Sequence, residues 1–156
     1  MDAAPVAELA WAAARAGHPS LRFQHRGVGA SQGEADPERA GDDAEAALRH
    51  LAETAGPRVA LAGLGSGCVT ALALARAHPE VERVALVAPD ALVSALPAAR
   101  ILVVLPEERA GEAEALAAPF GPRGKVEIVA GADALFRSGL PQVGRAVVAW
   151  ISREAR

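Results

Sequence analysis

Hydrophobic and polar positions along the chain alternate between two periods. Five short segments read as strands: Leu21–Arg26, Arg58–Leu64, Arg83–Ala88, Ile101–Leu105 and Lys125–Ala130. The middle three are nearly continuous apolar runs (VALAGL, VALVA, ILVVL). Strands buried on both faces of a parallel sheet read this way. The first and last are more mixed, as edge strands are. Helical spacing fills the gaps. Residues 5–16 place Val6, Leu9 and Ala13 on one face. Residues 37–55 start with Asp36 as a cap and Pro37 in the first turn, and Gly56-Pro57 stops them. Residues 67–78 end at His78-Pro79, and residues 108–118 stop at Pro119. The final pattern, 141–155, carries Val143, Val147, Trp150 and Ile151 on one stripe. Strand–helix alternation predicts a three-layer α/β/α domain with right-handed crossovers and a mainly parallel sheet of five strands. Residues 1–156 read as a single domain, without repeat or linker.

Composition narrows the classes. The chain has 156 residues, 51% hydrophobic and 22% charged, with a net charge of -3, which excludes disorder. Alanine is the commonest residue and Lys125 is the one lysine among 16 basic residues, a pattern of GC-rich genomes. The single cysteine, Cys68, excludes an internal disulfide and a cysteine-rich zinc site. No histidine pair has metal-ligand spacing, so neither metal nor cofactor is expected. The acidic balance gives no footprint for nucleic acid, and no apolar run reaches the roughly 20 residues of a membrane span. The first residues include Asp2 and Glu8 and no early Lys or Arg, unlike a signal peptide. The expected location is the cytoplasm.

The chemistry concentrates in RVALAGLGSGCVTALALARAHPE, where a buried strand runs through Gly63-Leu64-Gly65-Ser66-Gly67 into a helix. Three readings compete. The pattern lacks the lysine of a phosphate-binding loop, and a dinucleotide fingerprint fails at Cys68. An anion site in this turn, flanked by Arg26 and Arg109, stays open because helix N-termini attract anions. The third reading is a nucleophile elbow, Gly-x-Ser-x-Gly, with its outer glycines at Gly63 and Gly67 and Gly65 at its centre.

Three segments together resemble one family. LRFQHRGVGASQGEADPERAGDD, VALAGLGSGCVTALALA and VEIVAGADALFRSGL are similar to stretches of small bacterial α/β-hydrolases. The resemblance implies a hydrolase fold, and it puts the family's nucleophile, acid and base on Gly65, Arg109 and Ala134. Glycine cannot attack, alanine cannot take a proton, and arginine repels the imidazolium an acid would orient. The resemblance also implies that this chain lacks the family's early strands and most of its oxyanion hole, leaving the Ser66 amide. One missing strand would lie between residues 21–26 and 58–64. Either those two segments pair directly, or a second chain covers the edge, as a homodimer or a protein partner. The Pro89–Ala99 segment is too short for a lid.

The expected function is therefore a catalytically degenerate hydrolase homologue acting as a binding or interaction module. The alternatives are an esterase with a displaced nucleophile, Ser66 or Cys68, with His25 as base, and an anion- or nucleotide-binding domain. Each candidate also has a plain structural role. Ser66 would cap the helix, Cys68 would be buried, His25 would pack, and Arg26 would pair with Asp42 or Asp43. His18, His50 and His78 would sit at helix ends.

Overall fold

The computed structural model describes residues 3–91 and 95–152. Its sheet contains β1 (Leu61–Leu64), β2 (Arg83–Val87), β3 (Arg100–Pro106) and β4 (Gly124–Val129). They lie side by side in sequence order, all parallel. The helices are α1 (Ala4–Arg15), α2 (Ala40–Ala55), α3 (Gly67–Ala77), α4 (Ala113–Ala117) and α5 (Leu140–Ile151).

The sheet is sandwiched because its central strands are apolar on both faces. Val84 and Leu86 of β2, with Ile101, Val103 and Leu105 of β3, meet Ala44 and Leu48 of α2 and Leu72 of α3. The intervening Ala85, Val87, Leu102 and Val104 meet Val143, Val147 and Trp150 of α5. Every residue of β2 is buried. Each such Val or Leu contributes about 1.5–3 kcal/mol relative to exposure. Arg83, at the entrance of β2, reaches across to the last turn of α5. Its Nη1 donates to the Trp150 carbonyl at 3.0 Å, and its guanidinium lies 5.4 Å from the indole centroid.

Four expectations change. Residues 21–26 are not a strand, so the sheet has four strands. The polar groups of that segment are committed elsewhere: Ser31 Oγ donates to the Gln24 carbonyl, Ala30 N to Gln24 Oε1, and Arg26 N to Asp43. Residues 58–60 also lie outside the sheet, and β1 begins at Leu61. Residues 37–39 form a 3-10 turn capped by Asp36, whose Oδ1 accepts from Glu38 N at 3.1 Å, before α2 proper. The 108–118 helix is mostly 3-10, with an α-helical core of one short stretch, Ala113–Ala117. Gly111 and Pro119 border that stretch, and both are poor residues for a helix interior. Helix α5 closes at Ile151, and residues 153–155 of the expected helix lie outside the described residues, as does part of the Pro89–Ala99 segment.

Candidate functional site

The carboxyl ends of the four parallel strands bring together the turns at 65–66, 88–90, 107–109 and 131–136. In open α/β sheets, ligands bind at this edge. The elbow is built as its sequence demands. A Cβ on Gly63 would stand 2.6 Å from the Gly67 carbonyl oxygen and 2.7 Å from Cys68 Cα, so strand and helix touch backbone to backbone there. Gly65 lies at φ +55°, in the left-handed region that glycine enters without strain. Its amide donates to the Val87 carbonyl at 3.0 Å, which ties the apex to β2.

Opposite the apex stands a carboxylate. A Cβ on Gly65 would lie 3.1 Å from Asp90 Oδ2. Asp90 follows buried Pro89 and Ala88, and Ala88 has φ +43°. An alanine held there costs roughly 1–2 kcal/mol, so the turn that aims Asp90 at Gly65 is strained. The sequence reading passed over Asp90. Its signal was a charged residue three positions past the end of a buried apolar strand, at the edge where ligands bind.

Of the positions to which the resemblance assigns an acid and a base, Arg109 has structural work. Arg109 Nη2 donates to the Pro89 carbonyl at 3.0 Å and Arg109 Nε to Glu112 Oε1 at 2.9 Å. Its pKa is raised, first by Glu112 and further by Asp90 and other nearby groups. Arg109 thus clamps the loop after β2 to the loop after β3. Glu107, two residues earlier and also missed, accepts from Gly131 N at 2.7 Å and joins β3 to the turn that carries Ala134. Ala134 itself is exposed, in a turn organised by Asp133 Oδ1 accepting from Leu135 N and Arg137 N, each at 3.0 Å.

Ser66 is exposed and has helical dihedrals (φ -61°, ψ -27°), and its side chain makes no capping bond, contrary to the expected cap. A capping residue needs extended dihedrals to swing its oxygen over the helix end. Cys68 is fully buried, with Sγ 3.7 Å from the Val87 carbonyl oxygen, and burial pushes its thiol up to about 12. That is the opposite of an activated thiolate. His25 packs edge-on against Phe23, centroids 5.2 Å apart, with Nδ1 3.6 Å from Asp43 Oδ2. It makes no hydrogen bond to Ser66 or Cys68 among the described residues. Arg26 gives Asp43 three bonds: backbone N at 2.9 Å, Nε at 2.9 Å and Nη2 at 2.6 Å. These bonds hold the Asp43 carboxyl down to about 2. Arg26 and Arg109 therefore both spend their charge on carboxylates.

His78 ends α3 between two carboxylates, Glu80 at 2.9 Å and Glu45 at 2.6 Å, and His18 Nε2 meets Ser152 Oγ at 2.7 Å. No group of three or more His, Cys, Asp or Glu able to hold a metal occurs among the described residues. No helix among them is long and apolar enough to cross a membrane.

A groove of about 590 Å³ lies beside β1 and reaches the elbow at Gly63, Leu64 and Gly67. Its walls are β1, α1 and α5 on one side and α2 and α3 on the other, and its far side is the 18–25 segment.

No family model and no curated protein matches the chain. Solved structures do. A candidate α/β hydrolase of unknown function from Agrobacterium tumefaciens superposes with a TM-score of 0.82 at 21% identity, over 96% of this chain and 76% of that one. The esterase domain of a Rhodothermus marinus protein superposes with a TM-score of 0.73 at 19% identity, over 96% of this chain and 79% of that one. With a parallel sheet, a glycine-built elbow at the end of β1 and these structural neighbours, the chain has an α/β-hydrolase-like fold.

Proposed function

We propose that the protein is a non-catalytic hydrolase-fold module that binds a polypeptide partner. The observation that carries the first half of this reading is the apex itself. Where a nucleophile would stand there is Gly65, and the nearest side chain is the Asp90 carboxylate. The candidate nucleophiles Ser66 and Cys68 lack activation: the Ser66 side chain makes no hydrogen bond to a base among the described residues, and the Cys68 thiol is buried and protonated. The same carboxylate disfavours the anion-binding alternative, because a phosphate over the turn would face Asp90. Two amides of the first helical turn are also engaged, Cys68 N on the Gly65 carbonyl and Val69 N on the Ser66 carbonyl, each at 3.1 Å.

The esterase named among the structural neighbours motivates the rival, a hydrolase with its nucleophile displaced to Ser66. Hydrolysis of p-nitrophenyl acetate and butyrate, and of an acetyl thioester, decides between them. The expected result is no turnover by the purified protein above that of its Ser66→Ala and Cys68→Ala variants. Turnover abolished by either substitution would overturn the reading.

A further inference from the structure

Strand β1 is mismatched to its surroundings. Its sequence run, VALAGL, has the composition of a strand covered on both faces, yet Ala60 and Ala62 are exposed and Leu61 and Leu64 only half-buried. β2, with the same kind of sequence, is buried throughout. Sheets usually protect an edge with lysine, proline, a charge or a bulge. Leu61–Leu64 has none of these. The free edge also presents hydrogen-bonding groups. Gly65 N donates to the Val87 carbonyl, so the amides facing β2 are those of Gly65, Gly63 and Leu61. Backbone groups alternate sides along a strand, so Ala62 and Leu64 turn theirs to the groove.

The groove is shaped and charged for one kind of occupant. Helices wall it on both faces of the sheet plane, with small side chains at Ala10, Ala13, Ala44 and Ala47. Across from β1, Leu21 and Phe23 stand 42% and 44% exposed and bound the same space. Among the described residues, the ionisable side chains lining it are all basic: His18, Arg22, His25 and Arg58. Arg58, at the entrance of β1, is exposed.

We infer that this groove takes an extended peptide segment of a partner protein, added as a strand to β1, apolar and small on both faces and acidic at the end beside Arg58. The inference rests on the non-catalytic reading above and names its partner class. Main-chain bonds to Ala62 and Leu64 supply affinity, and the two helical walls and the basic end supply selection. A segment of about six residues matches an ordinary strand.

The test uses the full chain and a fluorescein-labelled peptide of two glutamates followed by six alternating valine and alanine residues, read by anisotropy. The expected result is saturable binding. It should weaken at least tenfold when every second peptide amide is N-methylated in the register that faces β1, and when lysines replace the glutamates. Ala62→Pro removes one groove-facing amide and leaves the β2 ladder intact, as edge strands tolerate. It should abolish binding without lowering secondary-structure content. If that variant fails to fold, Arg58→Glu serves instead and should reverse the preference toward the lysine peptide. Binding indifferent to N-methylation and to both substitutions would overturn the inference. So would absence of binding at millimolar peptide, or self-association of the protein that Ala62→Pro abolishes while no peptide binds. Each of these leaves the non-catalytic reading standing, whereas ester turnover would end that reading whatever the peptide does.

Discussion

The apex of the elbow shows how little room one residue has. Gly65 sits at φ +55°, and any side chain placed there meets Asp90 Oδ2 at 3.1 Å. Placing a hydroxyl there therefore carries a double penalty, left-handed backbone strain and a crowded carboxylate. Gly65→Ser should lower stability by about 1 kcal/mol, the cost of an L-residue in that region. Urea denaturation measures it. On the non-catalytic reading the same variant should hydrolyse p-nitrophenyl butyrate no faster than the parent, because the resemblance puts Ala134 and Arg109 where a base and its orienting acid would be needed. Turnover in Gly65→Ser would mean that Asp90, the nearest charged group, can activate the hydroxyl, and that the site lost only its nucleophile. The elbow was legible in the sequence because its glycines sit between a buried strand and a helix. Asp90 and Glu107 were not, since their roles come from how the loops after β2 and β3 fold over the sheet edge.

Among the elements, the apolar runs gave β2 and β3 almost to the residue, because strands covered on both faces have no polar positions to blur them. The helix stops at Gly56 and His78 were equally readable, whereas 3-10 turns carry the chain through Pro119 to Arg123. Residues 21–26 misled because a polar–apolar alternation says that a segment is extended, and says nothing about whether a neighbour lies within bonding distance. Contacts between elements carry two predictions. Arg83 bridges β2 to the end of α5 with a charged hydrogen bond to the Trp150 carbonyl and a face-on contact with the indole. Arg83→Ala leaves that carbonyl and its surroundings unserved and should cost about 2 kcal/mol. A urea midpoint unchanged from the parent would show the bridge to be inert. His78 joins α3 to Glu80 and to Glu45 of α2, and Glu45 also faces Arg49 at 3.6 Å. The hydrogen bonds to Glu80 and then Glu45 raise the His78 pKa above its ordinary value of 6.5. A group whose folded pKa is raised stabilises fully below its unfolded pKa and loses that contribution as pH rises through the folded one. The stability gap between the parent and His78→Ala should therefore be widest below pH 6.5 and shrink as the pH rises through the raised folded-state pKa. A gap that widened with pH would reverse the assignment.

On the scale of the whole molecule, the sheet is asymmetric: its middle is sealed between two helical layers, and β1 ends it against a groove. Local stability should follow that asymmetry, because amides exchange through openings whose cost rises with the burial around them. Amides of Val103 and Leu86, fully buried in β3 and β2, should be among the slowest in the protein. Those of Ala62 and Leu64 should exchange orders of magnitude faster, while Gly63, one residue away but turned toward β2, should be protected. Such an alternation within one short strand separates an open edge from a strand that is merely loose, since looseness would expose Gly63 as well. Residue-resolved hydrogen exchange on the full chain reads it directly. Uniform fast exchange along β1 would mean that the edge strand frays and cannot template a partner. Uniform slow exchange would mean that the groove is already filled in solution. The alternating pattern alone describes a formed strand with one edge still open, which is the state an incoming segment requires.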